Sequence, residues 1–162
     1  MCAHCHVVSI GVEVKSLEAL VAACERLHWT KTDGHAGYRW FGEWVDDSPV
    51  PARLLATDAE YKRVLAMSRI DRQAFMTALL GQPDAYVRLP AHDYDVGVYR
   101  VGDRYELLFD EWHGHFAIEE RHQLAQAYAV EQSLATARSR GELATIHAVE
   151  NGTIELRIQI SE

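Results

Sequence analysis

The chain has 162 residues, 48% of them hydrophobic, and 24 acidic against 16 basic side chains give it a net charge of −8. That length and apolar content suit one domain over residues 1–162 with a sizeable core, and the scattered acids offer no basic surface, so nucleic acid is not an expected partner. No apolar run approaches the roughly 18 residues of a spanning helix and no secretion signal opens the chain, so a cytoplasmic protein without membrane association is expected. Three cysteines, an odd number, imply reduced thiols rather than a disulfide framework.

The first element is an alternating run at residues 6–14, with Val8, Ile10, Val12 and Val14 on one face, which predicts a strand. Ser16 then caps a helix whose Leu17, Leu20, Val21 and Cys24 recur at helical spacing. In "GYRWFGEWV", Tyr38, Trp40, Gly42 and Trp44 fall on one side of an expected extended strand that "DDSPVP" stops. Thr57 and Glu60 have capping-box spacing and Gly81 with Pro83 ends the stretch, so helix is expected over 58–80 with a break at Ser68. A short strand at 85–89 is left open.

The segment "YDVGVYRVGDRYELLFDEW" predicts a hairpin, because Gly102-Asp103 suits a two-residue loop; Val98 then faces Leu107 and Val96 faces Phe109. The same register sets Asp95 opposite Asp110, where like charges repel unless a cation or solvent separates them. Residues 118–140 follow as a helix, with Glu119 and Glu120 at its positive end, Arg138 and Arg140 at its negative end and Gly141 as the stop. Its buried stripe is expected to include Leu124, Ala125, Tyr128, Ala129 and Ala135. The last segment predicts a second hairpin about Asn151-Gly152, and a two-residue loop there pairs Leu156 with His147, which places His147 on the buried face. The expected fold is α+β: a mostly antiparallel sheet with helices packed on one face, in the order β-α-β-α-β-β-α-β-β.

Three stretches together carry a resemblance. "LPAHDYDVGVYRVGDRYELLFDEW", the helix containing "QAYAVEQ", and "ENGTIELRI" resemble the hypothetical chloroplast open reading frame thirty-five family, a domain of unknown function of plastids, cyanobacteria and other bacteria. The opening "CHVVSIGVEVKSLEALVAACERL" is similar to the family's start without a gap, with His6 at the place of the family histidine. The resemblance covers residues 5–29 and 85–160. Residues 46–84 stand outside it as a helical insertion, "MCAH" extends the usual start, and "EWHGH" replaces a variable stretch. The family brings no established reaction. Some members are encoded near AAA-type ATPases, so the resemblance implies an accessory role beside such a partner.

Histidine is abundant, with nine residues, and the opening run places Cys2, His4, Cys5 and His6 within five positions. The spacing of Cys2 and Cys5 is that of half a zinc site, and His113 and His115 of "HGH" could supply the rest, since thiolate with imidazole suits zinc. Strand alternation opposes joint use of all four opening ligands, because neighbouring side chains point to opposite faces. The same run could instead form a thiolate–imidazole pair at Cys5, a cysteine-dependent enzyme. No G-x-S-x-G elbow, P-loop or G-x-G-x-x-G is present to support an enzyme. Tyr38, Trp40 and Trp44 suggest an aromatic surface for a partner protein, unless the helical insertion covers them. The functional expectation is therefore a non-enzymatic accessory or protein-interaction domain, with zinc binding at the opening as the alternative and the cysteine-dependent enzyme third.

Overall fold

The computed structural model describes residues 7–9, 12–40, 50–110, 118–148 and 154–159. Within them the order is β1 (Val7–Ser9), α1 (Leu17–Arg26), β2 (Thr30–Asp33), a short 3-10 turn (Ala52–Leu54), α2 (Asp58–Leu65) and α3 (Arg69–Leu80). There follow β3 (Ala85–Arg88), β4 (Val96–Val101), β5 (Arg104–Asp110), α4 (Ile118–Ser139), β6 (Leu143–Ala148) and β7 (Ile154–Gln159). The class is α+β: an antiparallel sheet in the order β1-β5-β4-β3-β2, with β6 and β7 forming a separate two-stranded sheet.

Gly102 at φ +64° turns β4 into β5, and Val101 pairs with Arg104 across the two-residue loop. Val98 accordingly faces Leu107, the register the sequence implies. β1 pairs Val7 with Asp110 and Ser9 with Leu108, and Val14 then bridges to Tyr105. From Ser9 to Val14 the chain advances five residues against three on β5. Two additional residues leave the alternation intact, because the side-chain period is two. Val14 is consequently fully buried and Val12 packs against the same core.

One sheet face carries Ala85, Val87, Val96, Val98, Leu107 and Phe109, and it packs against Leu20, Ala23 and Cys24 of α1 and Leu124, Ala127 and Tyr128 of α4. Each fully buried aliphatic side chain here contributes about 1.5–3 kcal/mol. The Tyr128 hydroxyl ties the helices together: it accepts from the Lys15 and Ser16 backbone N–H groups at 2.9 and 3.2 Å and donates to Gln132 at 3.1 Å. Ser16 caps α1 by accepting from the Ala19 N–H at 3.1 Å, and His28, at φ +58°, ends it in the left-handed region.

The opposite face is also covered. Tyr99 and Leu108 meet Met76 and Leu80 of α3, with Trp40, Leu54 and Phe75 at the rim. Helices on a single face thus describe α1 and α4 alone; the inserted helices add a third layer, because Leu108 and Tyr99 alternate with the inward residues and need cover of their own. Thr57 caps α2 as expected, and Ser68, expected as a break, caps α3; they accept from the Glu60 and Asp71 N–H groups at 3.1 Å each. Gly97 lies under this layer. A Cβ there would sit 2.6 Å from the Tyr99 ring and 2.7 Å from the Tyr38 hydroxyl, so only glycine fits without displacement.

Four expectations need correction. A strand stands at Thr30–Asp33, ahead of the expected stretch, whose residues 38–40 are irregular and whose residues 41–45 lie outside the described residues. This polar edge strand pairs with β3 alone, so it carries no alternation to read. In α4 the buried set is Leu124, Ala127, Tyr128, Val130, Glu131, Leu134 and Ala137, while Ala129 and Ala135 are exposed. The row from Tyr128 runs through Glu131, which a hydrophobicity reading passes over and which Arg26 pairs at 3.0 Å. In the C-terminal hairpin Leu156 pairs with Ile146 rather than His147, and His147, opposite Glu155, is exposed. That register gathers Ala144 and Ile146 with Leu156 and Ile158 on one apolar face, whereas the two-residue loop would have mixed Thr145 and His147 into it. The fourth concerns Asp95, which is buried rather than solvated.

Candidate functional site

Asp95 stands at the sheet end where β3 leaves and β4 enters, and its side chain is wholly buried. Arg39 donates to it from the backbone N–H at 2.8 Å, from Nε at 3.1 Å and from Nη2 at 2.8 Å. Arg88 donates from Nε at 3.0 Å and Nη2 at 2.8 Å. The Asp95 N–H in turn donates to the Arg39 carbonyl at 2.8 Å, and the Arg88 guanidinium reaches the Gly37 carbonyl at 2.7 Å. Burial pushes the Asp95 carboxyl up, yet the hydrogen bonds from Arg88 and Arg39 outweigh it and hold the group below its ordinary value. One carboxylate between two guanidiniums is a clamp. It fastens the irregular strap at residues 34–40 to the sheet.

That strap carries two of the expected interaction residues. Tyr38 and Trp40 are half-buried, with rings 6.4 Å apart and 4° from parallel, and Tyr38 also leans on Tyr86 at 5.8 Å. Trp40 packs with Met76, Leu80 and Tyr99 and would meet a Cβ at Gly81 at 2.8 Å. The Tyr99 hydroxyl donates to the Leu80 carbonyl at 2.5 Å, and burial raises its pKa well above the ordinary tyrosine value. The strap therefore joins sheet and insertion, and much of its aromatic area is spent on that joint. Trp44 lies outside the described residues.

Cys2, His4, Cys5, His6, His113 and His115 also lie outside the described residues. Their chain neighbours are placed: Val7, which follows His6, pairs with Asp110, which precedes Glu111. At the same sheet end His92 Nε2 lies 3.0 Å from Glu120 Oε1, near the start of α4. Among the described residues no group of three or more His, Cys, Asp or Glu side chains is arranged to hold a metal. Cys24 sits in the core, where burial pushes its thiol up to about 12 and removes it as a nucleophile at neutral pH.

Two features went unread in the sequence. A polar cleft of 360 Å³ is lined by Glu13, Arg53, Arg104 and Glu106. Glu106 is buried at its floor, 3.1 Å from Arg104 Nε and 3.5 Å from Arg53 Nη1, so these charges largely satisfy one another. The second is the corner between α2 and α3, where Leu65 is 45% and Ile70 80% exposed. Capping-box spacing and the Gly81-Pro83 stop identified these helices, but which of their apolar residues lack cover depends on how the insertion docks. No helix among the described residues is long and apolar enough to cross a membrane. Scans against protein-family models, curated proteins and solved structures found no match to this chain.

Proposed function

We propose that the chain is a non-enzymatic accessory domain of the cytoplasm that binds a partner protein through the corner between α2 and α3. The observation that carries this reading is the exposure of Leu65 at the end of α2 and of Ile70 at the start of α3. Exposed aliphatic side chains on the two helices that meet at this corner are the anchors this reading assigns to a partner's pocket. Across α2 and α3 the basic Lys62, Arg63, Arg69 and Arg72 outnumber the acidic Asp58, Glu60 and Asp71 by one, in a chain of net charge −8. The complementary occupant is an acidic segment with an apolar anchor. The resemblance to the chloroplast reading frame thirty-five family belongs to the same proposal and points to an AAA-type ATPase as the source of that segment. Affinity purification followed by calorimetry of the two purified proteins tests it. The complex should weaken with salt and disappear in Ile70→Asp, with thermal unfolding unchanged; undiminished binding by Ile70→Asp would refute the assignment.

A second reading, zinc binding by Cys2, His4, Cys5 and His6 with His113 or His115, draws support from the pairing of Val7 with Asp110. The described residues next to the two ligand-bearing segments are paired, so a shared ion would need little loop closure. Elemental analysis of tag-free protein beside the Cys2→Ser/Cys5→Ser variant decides it: about one retained zinc per chain, lost in the variant, supports the site. Metal-free protein after zinc loading and washing sinks it.

A further inference from the structure

The sequence of β7 reads Ile154-Glu155-Leu156-Arg157-Ile158, which about Leu156 is symmetric in polarity and opposite in charge, so that reversal sets Glu155 against Arg157. One edge of this strand pairs with β6, and among the described residues no strand pairs with the other. A two-stranded sheet is marginal alone, and an uncovered edge presents a row of backbone donors and acceptors to any strand that matches it. We propose that β7 pairs antiparallel with β7 of a second copy of this chain, centred on Leu156, to form a symmetric dimer with a continuous four-stranded sheet.

The register follows from the side chains. Centring on Leu156 sets each Glu155 opposite Arg157 of the other copy twice over, and each Ile154 opposite Ile158. Centring on Glu155 or Arg157 would instead oppose like charges, and any half-step register would turn the apolar row of one copy towards the polar row of the other. Within one chain Glu155 and Arg157 already form an ion pair, with Nε to Oε1 at 2.9 Å, and both are exposed, so they are free to exchange for the equivalent pair across the two-fold axis. The axis runs perpendicular to the sheet, so both apolar faces lie on the same side together with both α4 helices. Ile158, 45% exposed in the single chain, gains Ile154 of the second copy as a neighbour. The remaining groups on this exposed face of the hairpin, Leu143 opposite Gln159, Thr145 opposite Arg157 and His147 opposite Glu155, add no carboxylate that would oppose the arrangement.

Sedimentation equilibrium of the full chain under reducing conditions tests the proposal with unmodified protein, Glu155→Arg, Arg157→Glu and the double variant. The unmodified protein should dimerise with concentration. Each single reversal should weaken dimerisation about tenfold or more, since two attractive pairs become two repulsive ones, and the double variant should regain the original affinity. A reversal without effect, or a double variant that keeps the original circular dichroism and melting temperature but stays monomeric, overturns the register. A second measurement needs no substitution: amide hydrogen exchange at residues 154–159 should slow as the unmodified protein is concentrated. Exchange independent of concentration, or a monomer throughout the range, overturns the dimer itself.

Discussion

Replacing Asp95 by Asn removes the one negative charge that two guanidiniums share, while keeping shape and a single acceptor. Removing one partner of a buried ion pair typically costs 3–5 kcal/mol, because the other charge is left without compensation. Here Arg39 and Arg88 are 41% and 38% exposed at their side chains, so both regain some water and the cost falls to about 2–3 kcal/mol. For a chain of this size that corresponds to a melting temperature lower by about 5–10 °C. Urea unfolding at pH 7 measures the free energy directly. The pH dependence supplies a second signature. The folded pKa of Asp95 lies below its unfolded value, so the clamp contributes fully above about pH 4 and the contribution fades as pH falls through the folded pKa. The gap between the unmodified protein and Asp95→Asn should therefore narrow below about pH 4. Equal unfolding free energies at pH 7, or a gap that persists unchanged into acid, would show that the clamp does not hold the strap.

Gly97→Ala should destabilise the fold by about 1–3 kcal/mol in the same urea titration, since the new methyl meets Tyr99 and Tyr38 below 3 Å; a neutral effect would mean that those rings have room to move. His28→Gly should stabilise by about 1 kcal/mol, because the left-handed backbone at φ +58° penalises any residue with a Cβ, and an unchanged midpoint would count against that strain. In a Cys2→Ser/Cys5→Ser background, Cys24 should resist thiol reagents at pH 8 and react once urea unfolds the chain. Rapid labelling of the folded protein would contradict its burial.

Local chemistry made much of this fold legible. Ser16 and Thr57 announce helix starts because their side chains satisfy orphan backbone donors within three residues, and Gly102-Asp103 fixes the β4–β5 register through turn geometry alone. Periodicity identified α4 as a helix, but its buried row includes Glu131, whose place inside depends on Arg26 about a hundred residues away. The candidate site was less legible than the fold. Tyr38 and Trp40 stood out by residue type, yet nothing near them in sequence tells that α3 and Tyr99 share their surface. That Ile70 and Leu65 stay exposed is not written in their own helices, because exposure is a property of the packed assembly of elements.

The sequence by itself determined the α+β class, the helix caps, the β4–β5 hairpin and the acidic balance of the chain, all of which arise from interactions between residues a few positions apart or from composition. Tertiary structure alone decided which polar strand closes the sheet at Thr30–Asp33, why Asp95 can be buried as a charge, and which way the C-terminal hairpin faces. Each of these turns on partners distant in the chain: Arg39 and Arg88 neutralise Asp95, β3 recruits β2, and the apolar face presented to α4 selects the register that sends His147 to solvent. A carboxylate, a strand edge and a histidine carry no local mark of the neighbours that will settle their energy, so their roles emerge only when the chain has folded around them.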